Sequence, residues 1–426
     1  MNRRDRIGLS SHYFFSFAAI GFTAAFLPLF LKSRGLSLTQ IGALTAIYSL
    51  AGASLQIPFG ALSDRLGSRK PLAISAAMLL GATYLLLNRV RGFPGFCGVY
   101  LIAGILFFTI ATLTSALLSD WTAGTRSTGR SYGVTRIWGS TGFIVTLAIV
   151  SLMPSITSGS NLLPAIAGLF WLGGLSIGLV GEPQRGSAER RSLFKGLPRL
   201  IGNRNLSVFL FTFFLFRLCE SGSMSFLSIY IQQLGGSRSL IALAFALAAI
   251  VEIPFMVWVG GMSDRIGRRP PLVMAFLAMP VRLFLYSRLH DPMNVFYIQL
   301  FHGLTFSFML VASLAFVADL SPGDLRATGQ GLLGMTAGLA ATLGPLLGGV
   351  FADQISISSM YLTLMGIALT AGVVFILFVH ESHPEISMER LDARAASKHI
   401  LLRGFAGILS RPILGRLRGA DTLDRL

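Results

Sequence analysis

Polar and apolar positions along this chain sort into long apolar runs joined by short polar turns. A helix that crosses a bilayer needs roughly 17–25 mainly apolar residues. That window predicts spans near 10–31, 39–62, 71–88, 94–118, 132–153 and 161–181. Six more follow near 206–234, 240–262, 271–289, 293–318, 327–352 and 356–379. Sustained period-two alternation is absent, which argues against a lipid-facing barrel. The pattern predicts an all-α integral membrane protein of twelve transmembrane helices in two pseudo-symmetric six-helix halves. Residues 1–181 would form the first bundle, 182–205 a cytoplasmic linker, 206–379 the second bundle and 380–426 a basic cytoplasmic tail. The first apolar run is long enough to remain as a spanning helix, so no removable signal peptide is expected.

The two halves repeat. GALSDRLGSRKPL (60–72) and GGMSDRIGRRPPL (260–272) lie 200 positions apart and share Gly, Ser, Asp, Arg, Gly, Arg, Pro and Leu at that offset. The same offset pairs Phe26-Leu27 with Phe226-Leu227, Gly35 with Gly235, and Arg126, Thr128 and Gly129 with Arg326, Thr328 and Gly329. Duplicated six-helix halves place a solute site near the bilayer midplane, between the halves.

Composition agrees with lipid as the solvent. The 426 residues are 53% hydrophobic and 12% charged, with mean hydropathy +0.69, against about 25% charged in an ordinary soluble domain. The net charge of +17 needs no nucleic acid to explain it, because no soluble basic domain with base-reading elements is visible. It is a topology signal instead. With the N-terminus inside, 26 of the 35 Lys and Arg fall in cytoplasmic segments and six in outer loops. Both termini are therefore expected in the cytoplasm, with the chain in the inner membrane. Cys97 and Cys219 lie far apart in apolar stretches and suggest neither a disulfide framework nor a metal site. No cofactor is expected.

The turn G-x-x-x-D-R-x-G-x-R occurs twice, as Gly60, Asp64, Arg65, Gly67, Arg69 and as Gly260, Asp264, Arg265, Gly267, Arg269. Glycine permits a tight turn between helices, and Asp and Arg can tie one helix end to another. The motif resembles the signature of the major facilitator superfamily over nearly the whole chain. The resemblance implies a transporter working by alternating access, acting as a monomer, with these turns as latches on the cytoplasmic gate.

An ionisable group at the centre of a span costs roughly 2.5–3.5 kcal/mol on insertion scales and usually faces a cavity. Six candidates stand inside the later spans: Arg136 in the fifth, Arg217 and Glu220 in the seventh, Glu252 in the eighth, Arg282 in the ninth and His302 in the tenth. Glu252 has Gly52 as its repeat counterpart, so the fold does not require its charge, and it is a candidate proton carrier. An ion pair with Arg282 is the competing structural role. Arg217 and Glu220, three residues apart on one helix, can pair with each other.

GVTRIWGSTGF (133–143), MPVRLF (279–284) and LFHGLTF (300–306) resemble helices 5, 9 and 10 of the lactose, phenylpropionate and nucleoside permease branch. That resemblance implies a substrate site at Arg136, Glu252 and His302, with Arg282 as a matched arginine; the intramembrane charges Glu252, Glu220, Arg282 and Arg217 are the candidates for proton coupling. Thr305 stands where the lactose permease carries a proton-bearing glutamate, so Glu252 or Glu220 would have to carry the proton. The expected function is proton-coupled uptake of an aromatic acid, nucleoside or saccharide, with proton-antiport efflux of an amphipathic compound as the alternative. The glycine-rich run 338–349 resembles a drug-antiporter motif but falls in the eleventh span, where close helix packing explains it.

The tail segment HILLRGFAGILSRPILGRLRG (399–419) mixes Leu, Ile and Phe with Arg and suits a basic amphipathic helix on the cytoplasmic leaflet, broken at Pro412. Deleting the tail should leave solute uptake into cells within about twofold of the parent, because membrane-surface binding of this kind adds affinity for lipid and not for solute. Complete loss of uptake in a well-expressed deletion would assign the tail a larger part.

Overall fold

The structure is a computed structural model. It describes residues 3–66, 69–122, 128–158, 160–181 and 196–382, and the side chains of these apart from 53–66, 122 and 128–134. The tail and most of the linker lie outside the described residues, as does Gly67 of the first turn motif. So do the side chains of Asp64 and Arg65.

Twelve long helices carry the described residues. In the first half they are α1 (Arg3–Ser33), α2 (Leu38–Leu66), α3 (Lys70–Leu86), α4 (Phe93–Thr122), α5 (Thr128–Leu152) and α6 (Leu162–Ile177). In the second half α7 is Arg204–Gln233, α8 Arg238–Ile266 and α9 Arg269–Ser287. Val295–His302, a π-helical turn Gly303–Ser307 and Phe308–Leu320 run on without a break and together form α10. α11 (Arg326–Gln354) and α12 (Ile357–Phe378) complete the bundle. A five-residue helix, Leu197–Ile201, stands at the end of the linker.

Several helices outrun their predicted spans. α1 begins at Arg3, α2 runs on to Leu66 and α8 to Ile266. Hydropathy detects only the part that must lie in hydrocarbon. The i→i−4 ladder can continue into the headgroup region, where charged side chains reach water. Helix starts are fixed by side-chain caps: Asn203, Ser237 and Ser356 each accept a backbone N–H at the first turn of α7, α8 and α12. Gly35 and Gly235, matched in the repeat, leave α1 and α7 at φ 84 and 86. Left-handed backbone of this kind favours glycine at a helix end.

At the starts of α3 and α9, just after the turn motifs, the repeat is offset by one residue. Arg69 is the N-cap of α3 and Arg268 the N-cap of α9, an offset of 199 rather than 200. Their side chains play matching parts. Arg69 pairs with Asp120 of α4, and Arg268 with Asp319 of α10 at 3.1 Å. Lys70 donates to the Gly178 carbonyl after α6, and Arg269 to the Ile376 and Val379 carbonyls closing α12. The sequence alignment of Arg69 with Arg269 is thus corrected to Arg69 with Arg268. The second turn is one residue shorter, and Gly267 makes it possible at φ 102. Asp264 pairs with Arg268 across that turn, and Glu381 accepts both N–H groups opening α9.

α1 packs on α5 and α6, α2 and α3 on α4, and α3 on α6; in the second half α7 packs on α11 and α12, α9 on α12 and α8 on α10. Across the halves α2 meets α11, α5 meets α8 and α1 meets α7. Phenylalanines fill the interior of the second half: Phe209 lies 4.5 Å from Phe316, and Phe276 stacks on Phe375 at 4.4 Å between ring centres. Leu152, Leu175, Val257, Met335 and Leu377 face outward and exposed. Exposed aliphatic residues all around a bundle are tolerable only against lipid.

Gly142 of α5 lies directly on the backbone of Phe14 in α1, and a Cβ there would meet the Phe14 carbonyl. This close approach sets the distance between the helices that carry Arg136 and Phe17. Gly142→Val should destabilise the protein by about 1–3 kcal/mol through overpacking. The expected readout is a lower thermal midpoint in detergent, and an unchanged midpoint would contradict the packing described.

Candidate functional site

Five of the six ionisable residues read from the spans gather on facing sides of α7, α8, α9 and α10. The first link is a hydrogen bond between His302 Nε2 and Glu252 Oε1 at 2.8 Å. It joins α10 to α8, and Ser307 reinforces it by donating to the Glu252 carbonyl at 3.1 Å. Glu252 is therefore not in a permanent ion pair with Arg282. The Glu252 side chain is 23% exposed and the His302 side chain 8%, so the carboxylate is the member of the pair that solvent or solute can reach.

His302 is held from behind. Phe306, one turn on, stacks on its ring with centroids 5.3 Å apart and planes 8° from parallel. The guanidinium of Arg217 lies 5.8 Å from the Phe306 ring centre. Arg217 is ion-paired with Glu220 on the same face of α7, as their three-residue spacing requires.

Arg282 is buried, with 1% of its surface exposed, and neutral acceptors hold it. Its Nη1 donates to Thr305 Oγ1 at 2.9 Å, and its Nη2 to Gln299 Oε1 at 3.0 Å and to Tyr286 Oη at 3.3 Å. Thr305 is available because α10 widens into a π turn there. Its hydroxyl donates to the Phe301 carbonyl at 3.1 Å, leaving a lone pair for the guanidinium. π turns inside α-helices occur frequently at functional sites. Thr305, the position that departs from the lactose permease pattern, therefore serves as an arginine acceptor.

Arg136 arrives from the first half. Its guanidinium sits 4.0 Å over the Phe17 ring and 5.8 Å from that of Tyr13, both on α1. Cation–π contact holds the planar group flat on an aromatic face. Arg136, Arg282 and Glu220 are the charged groups whose fields act on Glu252, while Arg282 and Arg217 act on His302. The structure thus brings the six residues into one electrostatic cluster. Gln299, Tyr286, Phe17, Tyr13 and Phe306 complete it and were not singled out in the sequence, because a search for ionisable groups passes over neutral partners. Gln299, a fully buried amide three residues before His302, is the one whose polarity in an apolar run gave a signal.

Past this cluster, at the end of the bundle opposite the N-terminus, the halves are tied together. Asp353 of α11 accepts the N–H of Leu38 at 2.9 Å and of Thr39 at 2.7 Å, the first two residues of α2. A carboxylate on the positive end of a helix is charge-assisted. Gly349 and Pro345 lie against the backbone of Leu38 and Gly42, so the two helices nearly touch. Arg238 at the start of α8 donates to the Thr157 carbonyl between α5 and α6. A cavity of about 360 Å³ lies at this end, lined by Phe26, Phe30, Arg34, Asn88, Thr157 and Arg238; it is separate from the charged cluster. Among the described residues no group of His, Cys, Asp and Glu is arranged to hold a metal ion.

Comparison with known proteins adds the family. The profile described as the MFS_1 like family matches residues 6–363. The "Uncharacterized transporter YwbF" of Bacillus subtilis is 25% identical over 88% of this chain and 94% of its own length. The maltose permease of Geobacillus stearothermophilus is 25% identical over 86% of this chain and 92% of its own. Among solved structures, that of the nucleoside transporter NupG superposes with a TM-score of 0.78 at 19% identity, covering 89% of this chain and 99% of that one.

Asp353→Asn keeps the shape of the tie and removes its charge. A carboxylate at a helix N-terminus contributes about 1 kcal/mol, so the closed arrangement of this end should lose roughly fivefold in population. Spin labels at Ser33 and Gln233, the ends of α1 and α7, in a background with Cys97 and Cys219 replaced by serine, should report longer distances in the variant. Superimposable distance distributions would show that the tie does not hold this end shut.

Proposed function

The chain belongs to the MFS_1 like family, and from that membership we propose that it takes up a small organic solute together with a proton. It is a multi-pass membrane transporter and not an enzyme. The observation that carries the proton reading is the Glu252–His302 pair, set among three guanidinium groups and partly open on the Glu252 side. A carboxyl group held by an imidazole can give up or take a proton as neighbouring charge changes, and the arrival of a solute is such a change.

In this reading the six-helix halves 1–181 and 206–379 rock about the site, exposing it to each side in turn. Arg136 from the first half and Glu252 and His302 from the second contact the solute. Glu252 carries the proton, with Glu220 and Arg282 setting its field and Arg217 acting on its partner His302. The basic loops support a reading with both termini in the cytoplasm of an inner-membrane protein, and in that reading the Asp353 tie is the outer closure. The turn motifs, through Arg69–Asp120 and Arg268–Asp319, brace the cytoplasmic helix ends and work as latches of the inner gate. An aromatic acid, a nucleoside and a saccharide are the solute classes that the sequence resemblance offers. Efflux by proton exchange is the competing reading. The glycine-rich run of α11 does not favour it, because Gly344 packs on the Leu218 carbonyl and Gly349 on Leu38, which accounts for the small residues by close approach.

Glu252→Gln preserves a hydrogen bond to His302 and removes the titrating group. In energised vesicles it should abolish accumulation against a gradient, by about tenfold or more, while solute exchange down its own gradient continues. Accumulation at the parent rate would remove Glu252 from the coupling path. Acidification of the medium on solute addition, in place of alkalinisation, would mark export.

A further inference from the structure

The spans contain three arginines, Arg136, Arg217 and Arg282, and two glutamates, Glu220 and Glu252. With His302 counted as neutral the cluster carries a net charge of +1, and a proton on Glu252 or on His302 makes it more positive. Arg217 is neutralised by Glu220. Glu252 is engaged by His302 and not by an arginine. Arg282 is held by the neutral acceptors Thr305, Gln299 and Tyr286. Dipoles can satisfy the hydrogens of a guanidinium, but they supply no net charge to balance it. An uncompensated positive charge in a low-dielectric interior is unfavourable, and an entering anion would remove that penalty.

The same side chains hold unpaired hydrogen-bonding capacity. Among the described residues, Arg282 Nε, Gln299 Nε2, His302 Nδ1 and Glu220 Oε1 are buried with no hydrogen-bond partner. Arg282 is 1% exposed and Gln299 is fully buried. They are already bonded to each other at 3.0 Å, so their two unpaired donors belong to one small neighbourhood. A buried donor left unpaired is costly. The Nε–H of this guanidinium and the neighbouring Gln299 amide can donate to the two oxygens of a carboxylate.

We propose that the solute is an organic monocarboxylate, recognised by the net positive charge of this cluster, centred on Arg282, and by the unpaired donors of Arg282 and Gln299. This rests on the transport reading above and narrows its solute class. A neutral nucleoside or saccharide would leave the charge imbalance as it was. A dicarboxylate would overturn its sign unless Glu252 were protonated.

The test is binding to the purified full chain in detergent, with no gradient present. Thermal unfolding is followed by tryptophan fluorescence with monocarboxylates from acetate to cinnamate, each beside its own amide, and with uridine and maltose. At least one carboxylate should raise the unfolding temperature and bind about tenfold or more tightly than its amide, the difference expected of charge-assisted bonds. Arg136→Gln and Arg282→Gln, checked for helical content by circular dichroism, should erase that preference. If Arg282→Gln does not fold, Arg136→Gln alone carries this arm. A panel in which no carboxylate binds would overturn the proposal, as would an amide, uridine or maltose that binds as tightly as the best carboxylate. Because no proton gradient enters the assay, its outcome is independent of the Glu252→Gln accumulation experiment, which speaks to coupling alone.

Discussion

A guanidinium group inside a bilayer must be surrounded by acceptors, since neither lipid nor a hydrophobic core offers any. In this protein that demand shapes the second half of the bundle. Arg282 on α9 draws Thr305 and Gln299 of α10 and Tyr286 of its own helix around it. The π turn of α10 brings Thr305 into place and orders the segment on which His302 and Phe306 stand. His302 in turn fixes Glu252 on α8. The positions of the carboxylate and the imidazole therefore depend on how one arginine is accommodated.

The two halves share a fold and divide the chemistry unequally. At the sequence offset of 200 the positions matching Arg217, Glu220 and Glu252 are Phe17, Ile20 and Gly52, and the position matching Arg136 is Thr336. The packing skeleton survives duplication because it needs only apolar faces and close approaches. The charged cluster does not repeat, and two copies of it in one bundle interior would place like charges side by side. Phe17 illustrates the exchange: at the place where the second half has Arg217, it supplies the aromatic face on which Arg136 lies.

Much of this was legible in the sequence, for physical reasons. Twelve spans can be read because a helix crossing lipid must be long and apolar, and the two halves because Gly35/Gly235 and the letters of the turn motifs recur at one offset. Arg136, Glu252, Arg282 and His302 stand out because charge in an apolar run is costly. What the sequence did not disclose depends on three-dimensional neighbours. Gln299, Tyr286 and Thr305 are ordinary residues until Arg282 is seen to need them. The one-residue slip that matches Arg69 with Arg268 is hidden because Arg269 fills the motif equally well by letter. The Asp353 tie joins residues more than three hundred positions apart, at a helix end where an aspartate would pass for a solvated loop residue.

The wide turn in α10 has a geometric consequence. An α-helix advances its side chains by about 100° per residue, so one surplus residue in the turn resets the angular phase of everything after it. The segment bearing Gln299 and His302 and the segment bearing Asp319 are consequently indexed independently, like two dials on a common shaft. The first is set by Arg282 and Glu252 inside the bundle, the second by Arg268 at the helix end. A uniform helix would have forced one phase to serve both.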